Sequence, residues 1–556
     1  MKRRIYTVTE NNERSFAGVT QLSLRSLILG MLGSCIITAS SMYVALRMGA
    51  LPWPAIFVSV LSMAFLKALG KTTLNEINIT QTSMSSGAMV AGGIAFTLPG
   101  LWISGIWTDI SITTERFIKI ALISTAGVIL GSVLIWFLRP RYIETEALPY
   151  PIGIAAADTI TAGDKGGKKS VLLFSTLAAS AVFTYLRDEL SLIKSSFSPK
   201  WLYDRNLSLG ISISPMMAGI GYIIGTLYTG VWFLGAVIAY IIIIPFGVAL
   251  KIFPTVDAAQ TFKNTAGLGL MIGTGLGVII SFIISAIKKY ISKEYKKVNI
   301  NINSYKQLLK SKSIFIILSV AASYILTVIC GIGLLPSLLL IIGTFIASSM
   351  AATITGQTGI NPMEIFAIII LVAIRVFVNI GTVEAFFIAA CIAVACGYAG
   401  DLLNDYKTGH MLGTNPTAQL ISQIAGGLVG AFVSSVTMFV VINQFGGIGN
   451  KDLPAPQAAM VSQMIKGIGD PMVLGIAAVI GVVLYLLKVP SMTLGIGMYL
   501  PFEMAAAVFF GGLINFFVKR FKPNIADDGN IAASGLFGGE GITGVVLAIV
   551  KMITGG

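Results

Sequence analysis

Apolar stretches about as long as a bilayer is thick recur along this chain and restrict what it can fold into. Residues 27–46, 117–138, 231–250, 314–335 and 428–442 are nearly free of charge. A helix crossing the hydrocarbon core needs about 20 such residues, and the core admits only structures that satisfy their own backbone hydrogen bonds. Several of the runs end in Trp, Tyr or Lys, as interfacial anchors do. Only 11% of the 556 residues are charged and 55% are hydrophobic, with mean hydropathy +0.86, whereas a soluble domain carries about a quarter charged residues. The expected fold class is therefore an all-α, polytopic integral membrane protein. Residues 1–20 contain charges and no apolar core, so no cleavable signal is expected before the first span.

A net charge of +14 would point to nucleic acid in a soluble protein. Here the cations lie in loops beside the hydrophobic runs, where the excess of Lys and Arg on cytoplasmic loops accounts for them and no nucleic-acid partner is expected. Cys35, Cys330, Cys391 and Cys396 all fall inside apolar runs and no CxxC occurs. That pattern supports packing rather than a disulfide framework, and neither a resident metal nor a cofactor is expected.

The chain also repeats itself. NTAGLGLMIGTG from Asn264 aligns with NIAASGLFGGEG from Asn530, and LPYPIGIAAADTI from Leu148 aligns with LPAPQAAMVSQMI from Leu453. Between the copies, residues 288–313 hold eight lysines against the single acid Glu294, which reads as a cytoplasmic linker. The expected organisation is a tail at 1–20, a first membrane half at 21–287, the linker at 288–313 and a second half at 314–556. Lys2, Arg3 and Arg4 place the N-terminus on the linker's side, so the first half should cross an even number of times; eight runs can be counted. The second half has an extra run near 363–380, and 14 to 16 transmembrane or re-entrant segments are expected in all.

Polar residues gather at corresponding places in the two halves. LNEINITQTSMSSG (74–87) and LPYPIG occur in the first, TITGQTGINPMEIF (353–366) and LPAPQA in the second. Paired prolines remove backbone donors and force helix breaks. Interrupted hydrophobic segments at matching positions are a sequence signature of the substrate site of a secondary transporter. Asn78, Gln81, Ser85 and Ser86 are thus expected to bind substrate, with Tyr150, Asp158, Gln357, Asn361 and Gln457; Gln81, Ser85, Gln357, Asn361 and Gln457 should line one cavity. A solvated loop at 74–87, or close helix packing through its Ser and Gly, would explain the first group as well.

Among ionisable groups, Glu76 in the polar stretch and Glu540 in GLFGGEG are the expected proton carriers, because a carboxylate at membrane depth is a functional candidate by default. Glu540 could instead hydrogen-bond a neighbouring backbone through the glycines around it. DLLNDYKTGH offers Asp405, Lys407 and His410 as gate candidates, with a solvated interfacial turn as the competing explanation. Asp158 aligns with Gln463 in the repeat and suits either helix orientation or substrate contact. Glu503 and Arg375 also interrupt apolar surroundings. GIGD at 467–470 matches the GxGD of intramembrane aspartyl proteases, but with 60 glycines in the chain this arises easily by chance, and Pro471 follows directly. A channel is a further alternative. An ATP-driven pump is disfavoured, since no Walker A motif is present.

Read together, NEINITQTSMSSGAMVAGGIAFTLPGLW, RPRYIETEALPYPIGIAAADTITAGD, SPMMAGIGYIIGTLYTG, ITGQTGINPMEIFAIIILV, AGDLLNDYKTGHMLGTNPTAQLISQIAG, LPAPQA and GLFGGEGITGVVLA resemble the oligopeptide transporter (OPT) family, particularly its prokaryotic branch. The resemblance runs from about residue 16 to the C-terminus. It implies proton-coupled uptake of small peptides or peptide-like metal chelates through the cell membrane, without enzymatic activity, often by homodimers. This chain departs from the prokaryotic pattern at Ala88 and Ile152, where that pattern carries acids.

Overall fold

The computed structural model describes residues 15–554 apart from 17, 50, 52–53, 112, 165–167, 200–208, 292–301, 359–360, 362 and 467–469. The middle of the 288–313 segment, the basic residues of the N-terminal tail and Gly467 to Gly469 of the GxGD match thus lie outside the described residues, as do the side chains of Asp158 and Gln357.

The described chain is almost wholly helical. Its strands are two short antiparallel ladders, Ser15–Phe16 with Val19–Thr20 and Ser196–Phe197 with Ile211–Ser212. Nine helices among the described residues are long and apolar enough to cross a membrane, and four shorter apolar ones accompany them. The protein is a polytopic all-α membrane protein. Large apolar side chains that remain exposed, among them Leu32, Ile317, Phe377 and Val479, are what helices facing lipid require.

Two compact units emerge, and each takes residues from before and after the 288–313 segment. The first comprises Met1–Ala45, Trp53–Ser170 and Lys297–Gly446; the second comprises Leu46–Pro52, Val171–Lys296 and Gly447–Gly556.

In the first unit the core is formed by the spans Leu74–Ile103 and Thr382–Leu412, with 89% and 94% of their most apolar windows buried. A helix buried all round belongs to the centre of a bundle. Leu74–Ala95 packs against Pro416–Gln444, Thr382–Gly397 and Pro54–Ala68. Small residues permit the close approach: a Cβ on Gly430 would lie 2.7 Å from the Gly87 Cα, and one on Gly426 would collide with the Ser83 carbonyl. Such seams are how helices associate where water supplies no driving force.

The polar stretch 74–87 is not a break or a loop. It is the first four turns of the Leu74–Ala95 helix, and every residue from Asn75 to Ala95 is buried. Thr73 caps it by accepting from the Glu76 N–H. The hydroxyls are absorbed locally: Thr80 donates to the Glu76 carbonyl at 2.9 Å, Thr82 to that of Asn78 at 2.9 Å, and Ser86 to that of Ser83 at 2.7 Å. Back-bonding of this kind lets Ser and Thr sit in a buried helix without competing with its backbone.

Helix breaks do occur at the two proline pairs. Helices begin at Pro151 and Pro456, each preceded by a residue with left-handed backbone, Tyr150 at φ +44° and Ala455 at φ +40°. Proline at the first helical position loses nothing, since that N–H has no intrahelical partner.

In the second unit Val256–Ile291 packs on Pro471–Leu486, and Ala526–Thr554 on Pro215–Ile224. Gly269 and Gly273 meet the carbonyls of Leu474 and Ala478; Gly535 and Gly539, their equivalents in the sequence alignment, meet those of Leu173 and Leu177.

Candidate functional site

The span Thr382–Leu412 is not a regular α-helix. Its middle, Tyr398–Leu402, is a π-turn, and an α-helix resumes over Leu403–Leu412. A π-turn inserts an extra residue and re-aims the side chains after it, which is why such turns are frequent at functional sites. Here it precedes Asp405 and points that residue at the polar face of Leu74–Ala95. Gln81 Nε2 donates to Asp405 Oδ1 at 2.8 Å. Gln419, from Pro416–Gln444, donates from Nε2 to the Asp405 carbonyl at 3.0 Å and to Thr82 Oγ1 at 3.1 Å. Asn78 Nδ2 reaches Gln81 Oε1 at 3.4 Å and the Asp405 carbonyl at 3.5 Å.

This cluster is closed to solvent and incompletely satisfied. Asn78, Gln81, Ser85, Asp405 and Gln419 are each no more than 3% exposed. Asn78 Oδ1 is buried without a hydrogen-bond partner, as is the hydroxyl of Tyr406 on the span Thr382–Leu412, while the Ser85 hydroxyl faces the Asp405 carboxyl. Buried polar atoms are rarely left so, and each calls for an explanation. Gly409 lets the two side chains approach: a Cβ there would sit 2.8 Å from Asn78 Oδ1 and collide with Gln419 Oε1.

A second group adjoins it. Asn361 Nδ2 donates to Asp401 Oδ2 at 2.8 Å and to the Cys396 carbonyl at 3.0 Å. Asn404 Nδ2 donates to the Asp401 carbonyl at 3.2 Å, while Asn404 Oδ1 accepts from the Gly153 N–H at 3.2 Å. Thr408 donates to the Gly153 carbonyl at 2.8 Å, and Lys407 Nζ to that of Leu148 at 3.0 Å. The start of the Pro151–Asp164 helix is thereby tied to the Asp405 segment. Tyr150 is buried, donating from its hydroxyl to the Ala352 carbonyl at 2.9 Å and from its N–H to that of Gly356 at 2.9 Å.

Asn78, Gln81, Ser85 and Asp405 thus come together, with Asn361 and Lys407 bound to neighbouring parts of the same unit. Ser86 is turned back onto its own helix. His410 is half-buried, farther along the Leu403–Leu412 helix. Gln457 belongs to the second unit, where its Nε2 donates to the Gly49 carbonyl at 2.9 Å and its Oε1 is buried without a partner. Asp401, Glu364, Asn404 and Gln419 did not stand out in the sequence. Spacing held a signal, since Asp401 and Asp405 are one helical turn apart in DLLNDYKTGH, but nothing in the chain announces the π-turn.

Both expected proton carriers are ion-paired. Glu76 meets Arg25 at 2.5 Å and accepts from Ser23 and Thr72 at 2.6 and 2.8 Å. Glu540, in the second unit, pairs with Arg187 at 3.0 Å and lies 3.9 Å from Arg47. It also accepts from the Ser214 hydroxyl at 2.8 Å and the Met216 N–H at 2.9 Å, satisfying the start of the Pro215–Ile224 helix. Asp470 of the GxGD match caps the helix Pro471–Leu486, accepting from the Met472 N–H at 2.8 Å. No group of three His, Cys, Asp or Glu side chains that could hold a metal gathers among the described residues.

Comparison with known proteins sets this geometry in context. The family model described as OPT oligopeptide transporter protein matches residues 21–551. The chain belongs to the OPT family. A Haemophilus influenzae protein carrying an oligopeptide-transporter name is 25% identical over 93% of this chain and 94% of its own length. An Arabidopsis thaliana metal-nicotianamine transporter is 34% identical over 14% of this chain and 13% of its own. A rice protein of the same metal-nicotianamine name is 24% identical over 76% and 74%. The sequence resemblance to the family is therefore shown, and the buried amide cluster lies in the most enclosed spans of an OPT transporter.

Proposed function

We propose that the protein takes up small oligopeptides, or peptide-like metal chelates, by proton-coupled alternating access across the cell membrane. The observation that carries this reading is the buried cluster of Asn78, Gln81, Ser85, Asp405 and Gln419, with its unpartnered Asn78 oxygen. Side-chain amides and carboxylates present the same donors and acceptors as a peptide backbone, and an amino-terminal ammonium is the natural counter-ion of a buried carboxylate. A peptide-derived chelator presents the same groups. The names carried by the bacterial and plant relatives support both substrate classes.

On this reading Gln81, Asn78 and Ser85 contact substrate, with Asn361, Tyr150, Ser86, Gln357 and Asp158 as further candidates in the first unit; Gln457 is a separate candidate in the second. The Lys407 contact to Leu148 links the proline-broken segment to the Asp405 helix, as a gate requires, with His410 beyond it on the same helix. The matching glycine contacts of Gly269, Gly273, Gly535 and Gly539 support two sequence-related halves. A cytoplasmic N-terminus and a homodimer complete the proposal. Uptake of tritiated trialanine and of the nickel–nicotianamine chelate into proteoliposomes tests it. Saturable accumulation of either against its gradient is expected; downhill flux alone would indicate a channel, and no uptake of either would remove both substrates.

A further inference from the structure

Resting on the proton-coupled reading, we propose that Asp405, backed by Asp401, carries the coupling proton, and that Asp405 is a neutral carboxylic acid in this conformation. Asp405 is 1% exposed, within the most enclosed span of the first unit. One carboxyl oxygen accepts from Gln81 at 2.8 Å, and the Ser85 hydroxyl is a second neutral neighbour of the same carboxyl. No ion pair reaches Asp401, Asp405 or Glu364 among the described residues.

An ionised carboxylate in that position would be buried without a cation, which proteins avoid by leaving the group protonated. Glu76 and Glu540 have the opposite surroundings. Each is held by an arginine and by further hydrogen-bond donors, a set of contacts that anchors helices. A group that loads and unloads a proton needs neither state locked, and Asp405 is a buried carboxyl whose polar neighbours, Gln81 and Ser85, are neutral.

The charged and titratable groups around Asp405 fit this role. Asp401, one turn earlier and half-buried, interacts electrostatically with both Asp405 and Glu364, and is held by Asn361 at 2.8 Å. A second carboxyl so close disfavours ionising both at once and offers a neighbouring station for the proton. Lys407 is turned to the Leu148 carbonyl, Arg139 pairs with Glu144 at 2.6 Å, and Arg25 pairs with Glu76. Tyr406 and His410 share the Asp405 helix, and Asp158 lies on the Pro151–Asp164 helix packed against it. In the transport step the proton arrives from water on one side, bonds to a carboxyl oxygen of Asp405, and leaves to water on the other; no other bond changes.

Infrared spectroscopy of the full-length protein in lipid vesicles reads this without a substrate. The wild type is expected to show a protonated-carboxyl stretch that disappears reversibly as the buffer is taken from acid to strongly alkaline. Asp405→Asn should remove the Asp405 component of that band, leaving any part due to Asp401 or Glu364, while Glu76→Gln and Glu540→Gln keep it. Gln81→Leu, which removes the donor to Oδ1, should shift that component to higher frequency and provides the test if Asp405→Asn does not fold. A band identical in Asp405→Asn and the wild type, one with no component that moves in Gln81→Leu, or one unchanged across the buffer range would overturn the proposal. Because no substrate is present, failure here is distinct from failure of trialanine or chelate uptake.

Discussion

Tyr150 and Ala455 are positional equivalents in the two LPxP segments, and both adopt a left-handed backbone immediately before the proline that opens a helix. Each donates its N–H to the carbonyl of a residue near the end of a long helix, Tyr150 to Gly356 and Ala455 to Leu46, both at 2.9 Å. The same device, a strained residue followed by proline, stops and restarts the chain at both places. Left-handed backbone costs a non-glycine residue about 1–2 kcal/mol. Ala455→Gly should therefore be neutral or stabilise by up to about 1 kcal/mol, after the entropy cost of glycine. Tyr150→Gly should destabilise, since it also removes a buried ring and its bond to the Ala352 carbonyl. Thermal unfolding of both variants in detergent checks the opposite signs.

Glycines in the helix seams should separate sharply by what faces them. Gly430→Ala places its Cβ against the Gly87 backbone, where neither helix can give way, and a loss of about 1–3 kcal/mol is expected. Gly475, inside the helix Pro471–Leu486, has nothing within 4 Å of a Cβ. Gly475→Ala should stabilise by roughly 0.5–1 kcal/mol through helix propensity alone. Equal effects in unfolding measurements would mean that the Gly87–Gly430 contact is not formed.

Lys263 gives a third test. Its ammonium is buried and spends all three donors on neutral oxygens: Tyr240 Oη at 2.9 Å and the Met498 and Tyr499 carbonyls at 3.0 and 3.1 Å, at the end of the helix Ser491–Tyr499. Cations are favoured at a helix C-terminus, where they meet carbonyls left without intrahelical donors. Lys263→Met should leave those carbonyls unsatisfied and cost about 1–3 kcal/mol. In Lys263→Ala, added ethylammonium should restore part of the lost thermal stability, and tetramethylammonium, which has no N–H, should not.

The Glu540 pair predicts a stability effect of a different size. Removing one partner of a buried ion pair costs about 3–5 kcal/mol, because the other charge is left uncompensated. Glu540→Ala should approach that loss, moderated by the contact of Arg187 with Asp188 at 2.6 Å. Glu540→Gln retains an acceptor for the Ser214 hydroxyl and the Met216 N–H and should lose less. Chemical unfolding that ranks the two variants the other way would contradict the ion-pair assignment.

How much could be read beforehand depends on which interactions decide each feature. Membrane spans and the breaks at Pro151 and Pro456 follow from local chemistry, apolar length and missing backbone donors, and both were legible. The polar stretch 74–87 reads as the lining of a cavity, with a solvated loop as the alternative, and it is a buried helix. What makes it helical is tertiary: Gln81 and Asn78 find Asp405, more than three hundred residues away, and Thr80, Thr82 and Ser86 return to their own backbone. Glu76 and Glu540 stood out as charges in apolar surroundings, but their arginines, Arg25 and Arg187, lie far off in sequence and no local pattern connects them. Asp405 appeared as one of several polar residues in a turn. Its burial depends on the π-turn at Tyr398–Leu402 and on the helices that enclose it.

Proton-driven accumulation in proteoliposomes tests the central claim most directly. With tritiated trialanine and nickel–nicotianamine as probes, an inward proton gradient should drive the wild-type protein to concentrate at least one of them, and a protonophore should abolish the accumulation. Asp405→Asn should keep counterflow exchange of the same probe, which needs only alternating access, while losing accumulation; Gln81→Ala should weaken binding of that probe. Wild-type accumulation that is unchanged by the protonophore, or an Asp405→Asn protein that concentrates the probe as well as the wild type, would contradict proton coupling through this buried carboxyl.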